Sequence, residues 1–478
     1  MTLSYILIFS LFALTIGLLT NLYWRNWLIF GGSLLAVYAL QPATPVWHLD
    51  FWLPTFSLAL CALGWVITFP RTNGSRLELK GISLVSAILM VGVVLAVGLT
   101  RYLQPLCCLI PTRPPELIQV VIGLAAAGLL AVVLVRFTSG IRFWLAFSIV
   151  FIIALFITLK TDILAQAASG WLRTLNGQSA DLALATDLRW LGFSYIAFRL
   201  LQTLRDRQTG RLPALSLQEY VSFVVFFSTL TAGPIERAER FARNFSRKND
   251  ERLEAVVEGG KRITIGLFKK FVLADTLALV ALSNTNFSQV SSPFWMWVLL
   301  YAYALRIYFD FSGYTDIAIG IGRLAGIPLP ENFDRPYLKP NLTAFWNSWH
   351  MTLAQWFRSY IFNPLTRAMR TAKNPVPPYL TIMVGQLIVM MLIGLWHGVT
   401  WNFLIWGAWH GIGLFIHNRW LDFFRSKFGE NPLPEHLQKA LTILGTFLTF
   451  NYVALSWVWF ALPLPSQSWV VMLKLFGN

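Results

Sequence analysis

The chain has 478 residues, 56% of them hydrophobic and only 13% charged, with a mean hydropathy of +0.59. An ordinary soluble domain carries roughly 25% charged residues, so the composition excludes a string of soluble domains and indicates an all-α polytopic membrane protein. The net charge of +16 would suit a nucleic-acid binder, but no DNA- or RNA-binding module is present. Lys and Arg instead cluster in short loops between apolar runs, as loops facing the cytoplasm and its anionic leaflet do.

A helix of about 20 apolar residues crosses a bilayer. Runs of that kind stand at 2–20, 51–69, 83–100, 117–135, 143–159, 263–282 and 379–396. Span lengths predict about eleven to thirteen transmembrane helices in all. The first run lacks a basic leader and a small-residue cleavage site, which predicts a retained helix. Breaks are expected at Tyr23–Asn26, Pro70–Arg76, Pro111–Pro115 and Ser139–Gly140. Trp47, Trp52, Trp65 and Trp144 fall near predicted helix ends, where indoles anchor at headgroup level. His48 lies in a loop. Cys61, Cys107 and Cys108 give neither a metal spacing nor a disulfide framework and read as small apolar residues.

Residues 161–188 turn polar and read as a surface loop or as a helix lying in the interface. Further on, Gly233-Pro234 ends an apolar span, because proline cannot continue a helix and its predecessor avoids the α region. From Glu236 to Arg262 eight Lys/Arg alternate with six Asp/Glu. That pattern suits an amphipathic helix on the cytoplasmic face or a solvated connector. Lys269 and Lys270 follow, placed to snorkel to headgroups. No internal repeat is visible.

The stretch from Arg306 to Trp420 departs from this apolar background. It holds Asp310-Phe311-Ser312-Gly313-Tyr314-Thr315-Asp316, Trp346-Asn347-Ser348-Trp349-His350 and Leu395-Trp396-His397-Gly398. Ionisable groups at membrane depth are costly and mark functional sites. An imidazole kept neutral by burial can take a proton from a hydroxyl, so His350 and His397 are candidate catalytic groups. A structural role stands beside that reading. Metal binding is disfavoured, since neither histidine has a Cys, His or carboxylate at ligand spacing. His410 and His417, seven apart on one helical face, read as incidental. No G-x-S-x-G elbow is present, so direct transfer fits better than a covalent serine relay. Gly320-Ile321-Gly322-Arg323-Leu324-Ala325 matches a dinucleotide fingerprint in letters only. It lacks the preceding strand and reads as small residues for close helix packing.

The run Asp310–Asp316, the turn Asn332-Phe333-Asp334-Arg335-Pro336-Tyr337, Phe345-Trp346 with Trp349-His350, and Leu395-Trp396-His397-Gly398 together resemble the membrane-bound O-acyltransferases. Thr231-Ala232-Gly233-Pro234-Ile235 and Lys269-Lys270 with Ala274-Asp275 match the same family upstream. The likeness covers roughly residues 190–420. Within the family the chain is similar to the bacterial branch of alginate O-acetylation and teichoic-acid D-alanyl transfer proteins. Arg335-Pro336-Tyr337 leans toward the acetyl type, and Val399-Thr400-Trp401 with Ile416–Trp420 toward the D-alanyl type.

The resemblance implies a ring of transmembrane helices around a thin central channel. It divides one integral membrane domain into peripheral helices (1–185), an acyltransferase core (186–425) and a C-terminal helix region (426–478). It also implies transfer of a small acyl group, most directly acetyl, from a cytosolic thioester toward hydroxyls of an envelope or exported polysaccharide. His397 corresponds to the family's essential histidine and His350 to its second, histidine-or-asparagine position. Asn347, Trp346, Trp349, Trp396 and Asn402 would shape the site. Asp310 and Asp316 would pair within the core, with Arg306 or Arg358, or meet substrate. Acetyl-CoA or an acylated carrier protein would serve as donor, with no bound cofactor and no metal. The expected surroundings are a bacterial cytoplasmic membrane and, beyond it, a separate extracytoplasmic acyltransferase. D-alanyl transfer to teichoic acid is the alternative within the family, and a polysaccharide or lipid transporter the alternative outside it.

Overall fold

A computed structural model describes residues 2–70, 81–103, 109–136, 141–248, 252–428 and 434–477. Among these the chain is all-α; its one extended pairing is an isolated bridge between Phe333 and Trp349. The expected breaks at 71–76 and Ser139–Gly140, and the residues Cys107 and Cys108, lie outside the described residues. Among the described residues six helices are long and apolar enough to cross a membrane: Leu49–Thr68, Gly81–Tyr102, Leu117–Leu134, Arg142–Lys160, Pro378–His397 and Glu435–Ala461. Two longer helices, Pro293–Leu324 and Trp401–Phe428, have the length but dilute their hydropathy with the polar groups singled out above.

The chain divides into two compact units. The first comprises Met1–Ile263 with Ala318–Leu329, and the second Thr264–Ile317 with Pro330–Asn478.

In the first unit the polar stretch after residue 160 is largely helical. Asp162–Leu175 forms a helix whose buried face carries Ala165, Ser169 and Arg173. A buried ion pair of 2.9 Å joins Arg173 to Asp187, which also accepts from Ser169. The apolar span expected before Gly233-Pro234 is not one long helix. The helix Leu217–Val224 is capped by Ser216 and Glu219 and is followed by irregular, buried backbone. Buried Arg199 makes this tolerable: its guanidinium donates to the carbonyls of Val224, at 2.9 Å, and Thr229, at 3.0 Å. Buried backbone that leaves the helical form needs such a partner. The mixed-charge segment begins as the helix Ala238–Phe245, with Phe241 and Phe245 buried. Arg25 donates to the carbonyls of Asn244, Phe245 and Arg247 at its end. The small-residue reading of 320–325 holds, since a Cβ on Gly320 would lie 2.7 Å from the Gly259 carbonyl oxygen.

In the second unit the expected span 263–282 proves different. The helix entering from Arg252 passes at Phe268–Ala274 into a π-helical turn and stops soon after Asp275–Ala278. The wider turn carries Lys269 and Lys270, each paired with an aspartate. Lys269 Nζ lies 2.7 Å from Asp316 Oδ2, and Lys270 pairs with Asp310. The two aspartates therefore pair as expected, each with a lysine from another helix. Gly266 and Gly313 permit the approach: a Cβ on either would fall 2.6–2.8 Å from the other's carbonyl oxygen.

Overpacking of this kind costs about 1–3 kcal/mol. Gly313→Ala should therefore lower the unfolding midpoint of the detergent-solubilised protein. Gly92→Ala, where a Cβ meets nothing within 4 Å, should leave it level or raise it. Equal midpoints for the two variants would contradict this packing.

Candidate active site

The site is assembled in the second unit from the turn after Pro330, the short helices that follow it and the helices Pro378–His397 and Trp401–Phe428. The turn folds back on itself: Asp334 N donates to Ser348 O at 3.0 Å and Met351 N to Asn332 O at 2.9 Å. His350 stands at the start of the helix Met351–Phe357 with φ of 43°, a left-handed conformation. Only a few per cent of non-glycine residues have positive φ, and those that do cluster at functional sites.

Asn332 determines which nitrogen of His350 is available. Its Oδ1 accepts from the Thr352 amide at 3.2 Å and from Thr352 Oγ1 at 2.9 Å, and it lies 3.1 Å from His350 Nδ1. An amide N–H can only donate, so this atom is an oxygen and His350 Nδ1 must carry the hydrogen. His350 Nε2 is then a bare acceptor. It is buried, and among the described residues no hydrogen-bond partner reaches it. The ring packs edge-on to Phe311 at 4.8 Å and meets Trp396 at 6.2 Å between centroids.

His397, half-buried, is the last residue of its helix. Its ring lies 4.4 Å from Trp396, 4.7 Å from Phe460, 5.7 Å from Phe403 and 5.8 Å from Trp406. The two histidines, 47 positions apart in sequence, thus meet the same indole, Trp396. Trp346 packs on Trp406 at 5.8 Å, and Trp349 on Trp457 at 5.3 Å. A cavity of about 230 Å³ is lined by Trp346, Asn347, Arg358, Gln386, Met390 and Ile393, among others. Arg358 and Phe362, which also line it, bound a second π-helical turn, a form frequent at functional sites.

The amide groups take separate places. Asn347 is exposed and accepts from Arg358 at 2.7 Å. It remains at the cavity, while the amide beside His350 is Asn332. Asn402 is buried and donates to Leu462 O at 2.6 Å and Ser468 Oγ at 3.1 Å. Both its N–H groups tie helix ends together, so it offers no donor to His397. Asp310 and Asp316 are held by lysines, as above. His417 Nδ1 lies 2.9 Å from Thr343 Oγ1. Asn332 and the Lys269–Lys270 pair were visible in the sequence as motif letters, but nothing local disclosed their partners.

His350 lies between helices, outside the spanning segments, and burial pushes its imidazole from 6.5 down to about 3. A folded-state value below the unfolded one means that acid favours the unfolded chain. Stability contributed by neutral His350 is complete above pH 6.5 and declines as pH falls toward 3. His350→Asn, which tolerates the left-handed backbone, should flatten the fall in unfolding midpoint between pH 7 and pH 5. An unchanged slope would count against a neutral, buried His350.

Comparison with known proteins agrees with this architecture. A family model of the membrane-bound O-acyltransferases matches residues 136–457. The teichoic acid D-alanyltransferase of Streptococcus thermophilus is 36% identical over 286 residues, 57% of this chain and 68% of that protein. The probable alginate O-acetylase AlgI of Pseudomonas aeruginosa is 33% identical over 293 residues, 60% of this chain and 51% of that one. The peptidoglycan O-acetyltransferase of Helicobacter pylori is 36% identical over 246 residues, 51% and 43% respectively. The chain thus spans about half the length of these two O-acetylating relatives. With six apolar spans among the described residues and the family match over most of its length, the chain belongs to the membrane-bound O-acyltransferase family and is a multi-pass membrane O-acyltransferase.

Proposed function

We propose that this chain works in a bacterial cytoplasmic membrane and moves an acetyl group from a cytosolic thioester toward hydroxyls of an extracytoplasmic envelope polysaccharide. The observation that carries the reading is the meeting of His350 and His397 on Trp396 within aromatic walls. His397 is the proposed base. As the hydroxyl oxygen attacks the thioester carbonyl, its proton passes to the imidazole. The C–S bond then breaks, and the leaving thiolate recovers a proton as the ester forms. His350, whose bare Nε2 can only accept, assists by taking a hydrogen bond from a neighbouring hydroxyl of the acceptor and so orienting it. A thioester is already activated, so positioning is most of the task, and a lining of rings limits hydrolysis.

One face of the helix Pro378–His397 supports a route for the donor. Gln386, Val389, Met390 and Ile393 line the cavity, and His397 follows at helical spacing on the same face. Acetyl-CoA or an acylated carrier would enter from the basic end near Arg367, Arg370 and Lys373. An acetyl group is neutral, whereas a D-alanyl group brings an ammonium. The rings around His397 and the lysine-held Asp310 and Asp316 suit the neutral group. D-alanyl transfer remains the second reading, favoured by the larger share of the D-alanyltransferase that this chain covers. Onward transfer by a separate extracytoplasmic enzyme fits a chain that ends its own chemistry in the membrane.

The test is ester content of the envelope polymers in cells lacking this chain, complemented with wild type, His397→Ala or His350→Ala. Acetyl and D-alanyl esters are assayed separately, and membrane levels of each variant are checked. Wild type should restore acetyl esters, His397→Ala should not, and His350→Ala should restore them weakly. D-alanyl esters in their place would select the second reading. Full restoration by His397→Ala would remove His397 from the chemistry.

A further inference from the structure

His410 looked incidental in the sequence, yet its hydrogen bonds are fully directed. It is buried, at 0% exposure, on the helix Trp401–Phe428. Trp346 Nε1, which can only donate, gives its hydrogen to His410 Nδ1 at 3.3 Å. Ser456 Oγ lies 2.9 Å from His410 Nε2 and donates its own hydrogen to Val453 O at 2.6 Å. With that hydroxyl hydrogen committed, Nε2 must carry the imidazole hydrogen. A single neutral tautomer results, and the chain of donors runs from Trp346 through His410 and Ser456 to the Val453 carbonyl.

This chain ends on a ring of the site. Trp346 lines the cavity and packs edge-on against Trp406, which packs against both His410, at 4.9 Å, and His397, at 5.8 Å. His410 is not among the residues lining the cavity. We propose that His410 is a positioning residue: by accepting from Trp346 Nε1 it fixes the indole that walls the cavity and, through Trp406, the surface against which His397 rests. The inference rests on the reading that transfer takes place at His397. Loss of the acceptor leaves a buried N–H without a partner, a cost that an indole relieves by turning. The wall then moves, and the acyl group is held out of line with the base.

The test uses the full chain, purified into lipid nanodiscs, with an acetyl-thioester donor and a soluble sugar acceptor. The variants are His410→Ala, His410→Asn, Trp346→Phe, the double variant Trp346→Phe with His410→Ala, and His397→Ala. An asparagine amide oxygen can take the place of Nδ1. His410→Ala and Trp346→Phe should each lower kcat on the order of ten- to a hundredfold, the scale of a misplaced reactant. The donor KM should stay within about threefold, because ground-state binding is largely kept. The double variant should be no worse than the worse single one, as residues acting through one bond behave in a double-mutant cycle. His410→Asn should recover most of the rate. Defects that multiply, or an asparagine variant as poor as the alanine one, would overturn the inference even where His397→Ala is inactive. A fully active His397→Ala would instead remove the reading on which it rests. Should His410→Ala not fold, the cycle is run with His410→Gln, which cannot supply the Nδ1 acceptor at the same place.

Discussion

Backbone groups buried away from water need hydrogen-bond partners, so a chain can leave the helical form inside the protein only where other groups supply them. Each unit meets that constraint with a buried polar side chain. In the first, Arg199 holds the carbonyls of the irregular stretch after Val224. In the second, Asn332 Oδ1 accepts the Thr352 amide at the start of the helix Met351–Phe357. The same oxygen accepts from His350 Nδ1 and thereby leaves Nε2 bare. One atom both permits the break in helical structure and selects the histidine tautomer. The place where the chain departs from regular structure is therefore also the place where it holds a buried imidazole nitrogen free to accept.

Around that point the lining is aromatic. Phe311, Trp396, Phe460, Phe403 and Trp406 meet one or other histidine through their rings. Two ion pairs, Lys269 with Asp316 and Lys270 with Asp310, join the neighbouring helices. Charges placed this way hold helices in register. The π-helical turn that presents both lysines and the close Gly266–Gly313 contact belong to the same arrangement.

Much of this was legible in the sequence. Hydropathy located the spans near 51–69, 83–100, 117–135, 143–159 and 379–396, because burial in lipid requires uninterrupted apolar helix. Motif order pointed to the family and to His350 and His397. What failed was decided by contacts between distant residues. The span 263–282 has the right composition but is the end of a longer helix widened by a π turn, so length counting misplaced it. Asn347 and Asn402 stood beside the histidines in sequence, whereas the partner that matters, Asn332, is 18 residues from His350. His410 lies 64 residues from Trp346 and 46 from Ser456. Spacing on a single helix could not reveal either bond.

The central claim is that acyl transfer occurs where His350 and His397 meet Trp396. The most direct measurement is single-turnover transfer of a labelled acetyl group from a thioester to a hydroxyl acceptor by the purified chain, comparing wild type with His397→Ala at equal donor occupancy. Both proteins should bind donor alike, and wild type should form labelled ester while His397→Ala forms essentially none. Equal rates of ester formation by the two proteins would contradict the claim.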